Sequence, residues 1–390
     1  MNATPRVLFV HNAYQRQGGE DSVVAEEIAL LKSHGHSVET YFRHNDDIAS
    51  LSSVAVAQQT LWASRTTHEL AELIGDFRPD IIHAHNTFPL ISPSVYWAAD
   101  RAGVPVVQTL HNFRLMCLNA LFLREGKVCE DCMGNLPWRG VARACYRGSR
   151  AASAVLAGML TLHRGLGTYQ NKVARYIALN EFCRGKFIEG GLPAERVVVK
   201  PNFVDFAAPP PSPRAGLLFV GRLSVEKGVA TLAQAMALSP DAALRVAGDG
   251  PEAGMLNGVA GVVRLGSLPG EAVRQEMSRA AALVVPSICY ENFPRTIAEA
   301  FACGLPVIAS RIGALADIVQ DGETGLLFEP GNPRALADKL AWAQAHPEQM
   351  AAMGRNARAQ YEAKFSAEVN YQCLMEIYAG VLAERRRKKQ

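Results

Sequence analysis

The stretch of sequence that decides the fold is Pro286-Ser-Ile-Cys-Tyr-Glu-Asn-Phe-Pro-Arg-Thr-Ile-Ala-Glu-Ala-Phe-Ala-Cys-Gly-Leu-Pro-Val307. Two apolar segments flank this stretch or overlap its end, Leu283–Val285 before it and Pro306–Ser310 after it, and both are typical of short buried strands. A helix that begins near Phe293 is expected between them. A strand, a helix and a second strand in this order form the repeating unit of parallel α/β sheets.

This stretch carries two carboxylates, Glu291 in the loop after the first strand and Glu299 about two turns along the helix. Eight residues turn a helix by roughly 800°, so both side chains are expected on nearly the same face. Two acceptors so placed can bind the hydroxyls of a sugar and of a ribose. The competing interpretation, two exposed helix carboxylates, leaves Ser287 and the Gly-Leu-Pro entry to the second strand unexplained.

Outward from this stretch, short apolar strands alternate with amphipathic segments along the whole chain. Its 390 residues are natural for two domains of ordinary size. The predicted strands of the first half are Arg6–Val10, Ser37–Tyr41, Asp80–Ala84, Pro105–Leu110, Ala174–Leu179 and Arg196–Lys200. Those of the second half are Leu217–Val220, Leu244–Ala247, Val262–Leu265, Leu283–Val285, Pro306–Ser310 and Gly325–Phe328.

The alternation predicts an α/β protein with two doubly wound, Rossmann-like domains that face an interdomain cleft. We expect an N-terminal domain at residues 1–205, with a cysteine-containing insertion at about 113–150, and a second domain at residues 206–365. The proline-rich Phe206–Pro213 is read as a stiff connector. A final helix at 366–390 is expected to pack back on the N-terminal domain.

Three loops that follow strands of the second domain contain glycines and charges. Gly221 precedes the cations Arg222 and Lys227, which suit a diphosphate whose negative charge develops as a sugar departs. Gly248 belongs to Ala247-Gly-Asp-Gly-Pro251, which taken alone is more often a tight turn than a site. Ser267 follows the next strand, where backbone groups could contact a flat base.

Together these segments resemble the large retaining family of group 1 (family four) glycosyltransferases, which have the GT-B fold. The resemblance rests on Gly-Arg-Leu-Ser-Val-Glu-Lys-Gly228, Gly-Asp-Gly-Pro251, the two-glutamate stretch and Asp321-Gly-Glu-Thr-Gly-Leu-Leu327. Their order and spacing match the family over nearly the whole second domain. The match is specific for the family and leaves the sugar open.

The resemblance implies a role for each matching residue. Arg222 and Lys227 would bind the donor diphosphate, and Glu299 would hold the ribose hydroxyls. Glu291 would hold the donor sugar together with the backbone that follows it, at Asn292, Phe293 and Pro294. In the first domain Gly18 and Gly19 resemble the family's glycine-rich loop, whose amides approach the phosphate and the acceptor. His111 resembles the histidine expected near the transferred sugar's hydroxyls.

The expected reaction is retaining, metal-independent transfer of a hexose-type sugar from a nucleoside-diphosphate donor to a glycan or lipid-linked acceptor. The resemblance suggests cell-surface polysaccharide synthesis as its setting. No carboxylate of the first domain stands out as a nucleophile, so attack on the leaving-group face is favoured over double displacement. Two alternatives stay open: a nucleotide-sugar epimerase of the same fold, and a non-catalytic sugar-nucleotide-binding partner in a glycan-assembly complex.

His83 and His85 lie two apart on a predicted strand, so both side chains face one side of the sheet. A metal-binding pair is one interpretation, although no third ligand is evident nearby in the sequence. Polar residues that line the cleft are the other interpretation. His85 is retained as a candidate on the acceptor side.

Four of the eight cysteines fall within the insertion, and two of them form a Cys-x2-Cys. Four thiolates in a reducing compartment suit a tetrahedral structural zinc, and no cofactor is expected for catalysis. Unligated thiols and a redox pair are the alternatives. The cysteines are Cys117, Cys129, Cys132 and Cys145.

Charge and hydropathy limit the partners and the location. The formal charge of +3, from 40 basic and 37 acidic residues, comes without a basic stripe interleaved with aromatics, which argues against nucleic-acid binding.

The first strand begins at Arg6 without a preceding signal peptide, and Ala151–Leu162 is too short to span a bilayer. We expect a soluble cytoplasmic protein. The basic run Arg385–Lys389 is either a solvated end or a peripheral contact with the membrane surface.

Overall fold

The computed structural model describes residues 4–15, 18–207, 210 and 213–389. The chain folds into two compact units. The first comprises Met1–Ala120, Glu130–Lys200 and Asn370–Gln390, and the second comprises Leu121–Cys129 and Pro201–Val369. The connector predicted at Phe206–Pro213 lies in part outside the described residues, because 208–209 and 211–212 are not among them.

The strands of the described residues are short. In chain order they are β1 (Val7–Ala13), β2 (Val38–His44), β3 (Ile81–Ala84), β4 (Val106–Thr109), β5 (Leu123–Arg124), β6 (Lys127–Val128), β7 (Arg175–Ala178), β8 (Val197–Val199), β9 (Leu217–Val220), β10 (Leu244–Ala247), β11 (Val262–Gly266), β12 (Ala282–Val285), β13 (Val307–Ser310) and β14 (Gly325–Phe328).

Helices connect most of these strands. The α-helices are α1 (Gly19–Ser33), α2 (Ser53–Leu61), α3 (Ser64–Phe77), α4 (Val95–Arg101), α5 (Trp138–Ala142), α6 (Arg150–Gly165), α7 (Thr168–Asn171), α8 (Glu181–Glu189), α9 (Val229–Ala237), α10 (Gly270–Arg279), α11 (Arg295–Ala302), α12 (Gly313–Ile318), α13 (Pro333–Ala345), α14 (Pro347–Lys364) and α15 (Ala367–Lys389). Short 3-10 helices lie at Asn45–Ser50, Ala194–Arg196, Val225–Lys227 and Ala253–Leu256.

The first unit contains a six-stranded sheet in the order β2-β1-β3-β4-β7-β8, and its paired strands are parallel. The apolar run of β1 does not alternate with polar residues, and Val7, Leu8, Phe9 and Val10 are all fully buried. Strands with both faces covered by helices have this composition. The winding direction reverses between β1 and β3, which marks the point where ligands of such sheets bind.

The second unit repeats this architecture in the order β11-β10-β9-β12-β13-β14, again with parallel pairs. Its switch point lies between β9 and β12. A core of apolar residues from the sheet and from helices such as α9 and α13 surrounds these strands. The prediction of two doubly wound, Rossmann-like domains is therefore confirmed.

The end of the chain belongs to the core of the first unit. Leu374, Tyr378 and Val381 of α15 are buried in one cluster with Val7 and Phe9 of β1. Their spacing of four and three residues puts them on one face of the helix. The helix continues through the basic run at 385–389, in agreement with the final helix predicted at 366–390, and the side chains of residues 388–390 lie outside the described part.

The insertion has little regular structure. Its β5 and β6 form an antiparallel hairpin that pairs Leu123 with Val128. The apolar stretch predicted at Ala151–Leu162 lies within α6, whose buried face includes Leu156 and Leu160. Among the described helices, none combines the length and the apolar composition that crossing a bilayer requires.

Candidate functional site

The carboxyl ends of β9 and β12 bring Lys227 and Glu291 together in the second unit. The Lys227 Nζ lies 2.7 Å from Glu291 Oε1, and the buried Ser287 Oγ donates to the same oxygen at 2.7 Å. Burial lowers the pKa of Lys227, but the Glu291 carboxylate outweighs this effect and raises it. Lys227 therefore carries its positive charge throughout the physiological pH range, at the switch point of the sheet.

The two loops that carry this ion pair are held together by their backbones. The Ile288 N–H donates to the Glu226 carbonyl at 3.0 Å. Gly228 has a φ of +70°, and a Cβ on it would lie 1.9 Å from the Pro286 carbonyl oxygen. No other residue fits there, so Gly228 allows the β9 loop to approach the β12 loop and thereby positions Lys227.

The glycine-rich turn after β10 packs against the β9 loop in a similar way. Gly248 has a φ of +146°, and a Cβ on it would lie 1.8 Å from the Gly221 carbonyl oxygen. A Cβ on Gly250 would lie 2.3 Å from the Leu223 carbonyl oxygen. Gly248 and Gly250 are therefore required for backbone packing, whatever they contact in a ligand. Gly221 also has a positive φ, of +153°, a conformation that favours glycine.

Other predicted donor-binding residues follow the same strand ends. Arg222 is exposed just after β9, and Ser267 is exposed just after β11. Asn292 is buried, and Phe293 packs edge-on against Phe365 with ring centroids 5.6 Å apart. The structure brings Lys227 and Glu291 into contact, whereas a phosphate-binding role for Arg222 stays a prediction.

The predicted start of the helix after β12 was two residues too early. Pro294 is the N-cap and α11 begins at Arg295, so Glu299 lies little more than one turn into the helix. Glu291 precedes the helix and does not share a helical face with Glu299. The Glu299 carboxylate lies 3.2 Å from Arg295 Nε one turn earlier.

In the first unit, histidines follow three adjacent strands. His11 lies in β1, His85 directly follows β3, and His111 follows β4. His85 Nδ1 lies 2.8 Å from His111 Nε2, and His11 Nε2 lies 2.8 Å from Asp21 Oδ1. Burial lowers the pKa of His85 well below its ordinary value and lowers that of His111 to about 3. Both rings are therefore neutral near pH 7.

Gly18 and Gly19 lie where α1 begins. The Gly18 N–H donates to Asp21 Oδ2 at 2.8 Å, and its φ of −113° is open to any residue. A Cβ on Gly19 would meet nothing within 4 Å. Neither glycine is required by the local packing, so a need for glycine here would come from the close approach of a ligand.

Sequence reasoning missed a charged network below this edge of the sheet. Glu27 of α1 is fully buried, and its Oε2 lies 3.1 Å from Lys200 Nζ. Lys200 also donates to Asn370 Oδ1 of α15 at 2.9 Å. Burial raises the pKa of Glu27, but Lys200 and His83 outweigh this effect and hold it at about 2. The signal in the sequence is a glutamate within the apolar stripe Val24, Ile28, Leu31.

The metal interpretation of the strand histidines needed a third ligand, which the structure supplies. Ligand atoms of Glu27, His83 and His85 lie within 4.8 Å of one another. However, His83 Nδ1 lies 2.7 Å from Tyr378 Oη, and its Nε2 lies 2.8 Å from Thr109 Oγ1. Since both nitrogens of His83 are occupied and Lys200 balances the charge of Glu27, a structural hydrogen-bond network explains this group.

A second carboxylate near the glycine loop was also missed. Glu20 accepts a hydrogen bond from Tyr14 Oη at 3.0 Å. Burial raises the pKa of Glu20 to about 7, against the lowering effects of Tyr14 and Arg114. Only Glu20's place next to the two glycines could have signalled it.

The four cysteines of the insertion are not in disulfides. Cys132 is buried, and the other three are half-buried. Cys117, Cys132 and Cys145 group with the first unit, and Cys129 ends the hairpin segment that groups with the second. Zinc binding by these residues stays a prediction.

Family models match most of the chain. The model of group 1 glycosyl transferases matches residues 204–360, and that of the glycosyl transferase 4-like domain matches residues 18–202. The D-inositol 3-phosphate glycosyltransferase of Segniliparus rotundus is 29% identical over 81% of this chain and 70% of its own length. An uncharacterized glycosyltransferase of Methanocaldococcus jannaschii is 34% identical over 41% of this chain and 46% of its own.

Solved structures with the same fold cover nearly the whole chain. Sucrose-phosphate synthase from Thermosynechococcus elongatus has a TM-score of 0.72 at 19% identity, over 97% of this chain and 100% of that one. Anabaena HepE in complex with UDP and glucose has a TM-score of 0.69 at 19% identity, over 96% and 100%. These likenesses show the GT-B fold. With two family models that follow one another along residues 18–360, the chain belongs to the group 1 glycosyltransferases.

Proposed function

We propose that this glycosyltransferase moves a hexose-type sugar, with retention of the anomeric configuration and without a catalytic metal, from a nucleoside-diphosphate donor to a glycan or lipid-linked acceptor. Cell-surface polysaccharide synthesis is the proposed setting. The observation that carries the proposal is the ion pair of Lys227 and Glu291 at the switch point of the second sheet. A cation there suits a diphosphate, and a carboxylate beside it suits sugar hydroxyls.

Lys227 supplies the electrostatic part of the reaction. As the bond between the anomeric carbon and the diphosphate oxygen breaks, negative charge develops on the leaving group, and a preorganised cation stabilises it. Glu291, whose carboxylate also accepts a hydrogen bond from Ser287, holds the Lys227 ammonium before substrate binds, so little reorganisation is needed. Arg222, exposed after Gly221, adds the second cation of this proposal.

Retention follows from attack on the face that the diphosphate leaves. The acceptor oxygen forms a bond to the anomeric carbon, the bond to the diphosphate breaks, and a phosphate oxygen takes the acceptor's proton. In the first unit Asp21 is engaged by His11 and by the Gly18 N–H, which supports a capping role for it rather than that of a nucleophile.

A uridine nucleotide is the first donor to examine, because HepE, which shares the fold, is known in complex with UDP and glucose. The acceptor side of the proposal includes peripheral membrane contact through the basic end of α15. Arg386 and Arg387 are exposed there, and such residues attract anionic lipid headgroups.

The test combines a thermal-shift panel of nucleotide sugars with NMR of the product. A donor that raises the melting temperature identifies base and sugar. The protein is then incubated with that donor, and the anomer of the first sugar released by slow hydrolysis is observed before mutarotation, with and without EDTA. Release of the donor's own anomer, insensitive to EDTA, supports the proposal. Release of the opposite anomer contradicts retention.

A further inference from the structure

The contact between His85 and His111 is well defined. The two rings stack with centroids 5.1 Å apart and an interplanar angle of 17°, and His85 Nδ1 lies 2.8 Å from His111 Nε2. His85 is 3% exposed, and its ring also stacks on Phe9 of β1 at 5.5 Å. These contacts fix the plane of the His85 ring and, through the hydrogen bond, the orientation of His111.

The other nitrogen of His85 has no such contact. Among the described residues, His85 Nε2 is buried without a hydrogen-bond partner. The nearby His83 cannot serve, because Tyr378 and Thr109 occupy its two nitrogens. His11 bonds Asp21 through Nε2, and its ring lies edge-on at 6.4 Å from that of His85.

The protons of this pair can be counted. Because burial lowers the pKa of both histidines, each ring carries a single proton near neutral pH. One of these protons lies in the hydrogen bond between His85 Nδ1 and His111 Nε2. Two arrangements are then possible, and they differ in which ring donates.

If His111 donates, its proton sits on Nε2 and the proton of His85 sits on the buried Nε2, which leaves an N–H donor without a partner. If His85 donates, its Nε2 is a bare acceptor, and the proton of His111 sits on Nδ1. Among backbone groups, a buried N–H without an acceptor is rarer than a buried carbonyl oxygen left under-satisfied, and we apply the same order of cost to the ring nitrogen of His85. The second arrangement is therefore the stable one.

We propose that His85 is a positioning residue that holds His111 as the tautomer with its proton on Nδ1, so that His111 offers an N–H donor to an oxygen of the sugar. The identity of that oxygen rests on the function proposed above, whereas the tautomer does not. A histidine's free nitrogen takes the role that the bond on its other nitrogen leaves to it. His85 then acts through His111 and does not touch the substrate.

The first experiment needs no substrate. Histidine side chains of the full chain are labelled with 15N, and the His111 signals are assigned by their loss in His111→Gln. Proton-detected correlation spectra then show which ring nitrogen carries the proton. We expect protonated Nδ1 and bare Nε2 in His111 of the wild type at pH 7.5. A wild-type His111 protonated on Nε2 overturns the proposal, even if no variant of His85 folds.

Three variants extend the test. His85→Leu removes the donor, so we expect His111 to populate the Nε2 tautomer. His85→Asn keeps an amide donor near the position of Nδ1 and should restore the Nδ1 tautomer. His68→Leu replaces an exposed histidine of α3 and should change nothing. Unchanged His111 spectra in a folded His85→Leu protein contradict the proposal.

Hydrolysis of UDP-glucose supplies a second readout. We expect His85→Leu to lower kcat about 10-fold, the effect of losing one hydrogen bond, with little change in KM, and His85→Asn to recover most of the loss. A purely structural defect would instead lower the melting temperature and affect both variants alike. If the wild type does not act on any nucleotide sugar, the proposed function fails, and the tautomer measurement still decides the role of His85.

Discussion

Replacing Lys227 with methionine removes the cation on which the proposed function depends and keeps the length of the side chain. The ammonium lies 2.7 Å from Glu291, and the two side chains are 29% and 13% exposed. A charge-assisted hydrogen bond in such a place contributes about 1.5–3 kcal/mol to stability. We expect the substitution to lower the free energy of unfolding by about this amount.

The effect on the reaction should be larger than the effect on folding. Loss of one preorganised group that stabilises developing charge lowers kcat by about 100- to 1,000-fold, or about 2.7–4 kcal/mol. Because the raised pKa of Lys227 keeps it protonated, this loss should not depend on pH between 6 and 9. Initial rates of hydrolysis of the nucleotide sugar found in the thermal-shift panel measure it.

Binding measurements separate the charge from the fold. Calorimetry should show weaker binding of UDP to Lys227→Met, and unchanged binding of uridine, because only UDP carries the diphosphate. Lys364→Met, which removes an exposed lysine at the end of α14 in the same unit, is the matched control and should bind both ligands as the wild type does. Equal UDP affinity and equal turnover in a folded Lys227→Met protein would refute the electrostatic role.

Three further predictions concern the rest of the chain. Gly19→Ala should leave the melting temperature unchanged, because its Cβ meets nothing within 4 Å, and yet reduce donor hydrolysis; full activity would show that no ligand approaches this backbone closely. Acid should destabilise the protein as pH falls from 6.5 towards 3, because the unfolded chain protonates His111 whereas the folded chain keeps it neutral. The expected decrease in the free energy of unfolding is roughly 2 kcal/mol at pH 5. Denaturant titrations at pH 7 and pH 5 should show a smaller loss in His111→Gln, and an equal loss would contradict this reasoning. We also expect about one zinc per chain by elemental analysis, lost in a Cys129→Ser, Cys132→Ser double variant and kept in Cys373→Ser; metal-free wild type would contradict it.

The zinc prediction also has a backbone argument. Within the insertion, five non-glycine residues have positive φ values of 48–66°, namely Ala120, Phe122, Glu125, Ala144 and Arg147. Non-glycine residues adopt this left-handed conformation only where surrounding contacts impose it. The hairpin of β5 and β6 has two residues per strand and is too small to be stable alone. A tetrahedral metal would supply the restraint that regular structure does not.

The sequence predicted the sheets well because parallel strands covered on both faces are nearly continuous apolar runs. Leu217–Val220, Leu244–Ala247 and Gly325–Phe328 were placed at their observed bounds. The start of α11 was set too early at Phe293, because Pro294 fits the N-cap and the chain becomes helical only after it. Such errors of one or two residues depend on caps rather than on hydrophobic pattern.

Single residues of the candidate site could be predicted from local motifs, whereas the contacts between residues far apart in the sequence could not. Lys227 and Glu291 were both predicted as site residues, because each belongs to a recognisable motif after a strand. Their mutual contact depends on a strand order that places β9 beside β12. The importance of Gly228 for this contact was not predicted. It follows from the 1.9 Å approach of a hypothetical Cβ to Pro286, which no local pattern reveals.

The charged network of the first unit joins polar residues that are far apart along the chain. Glu27 and Lys200 would each be costly to bury alone, and an unpaired buried charge destabilises a fold by several kcal/mol. Paired at 3.1 Å, and joined by His83, Asn370 and Tyr378, they form a polar layer between α1, β3 and α15. His83 lies two residues before His85, so the layer fixes the strand that presents His85 to His111. Removing Asn370 or Tyr378 should therefore disturb the His85–His111 pair although both lie in the last helix, and this links the end of the chain to the chemistry of its first sheet.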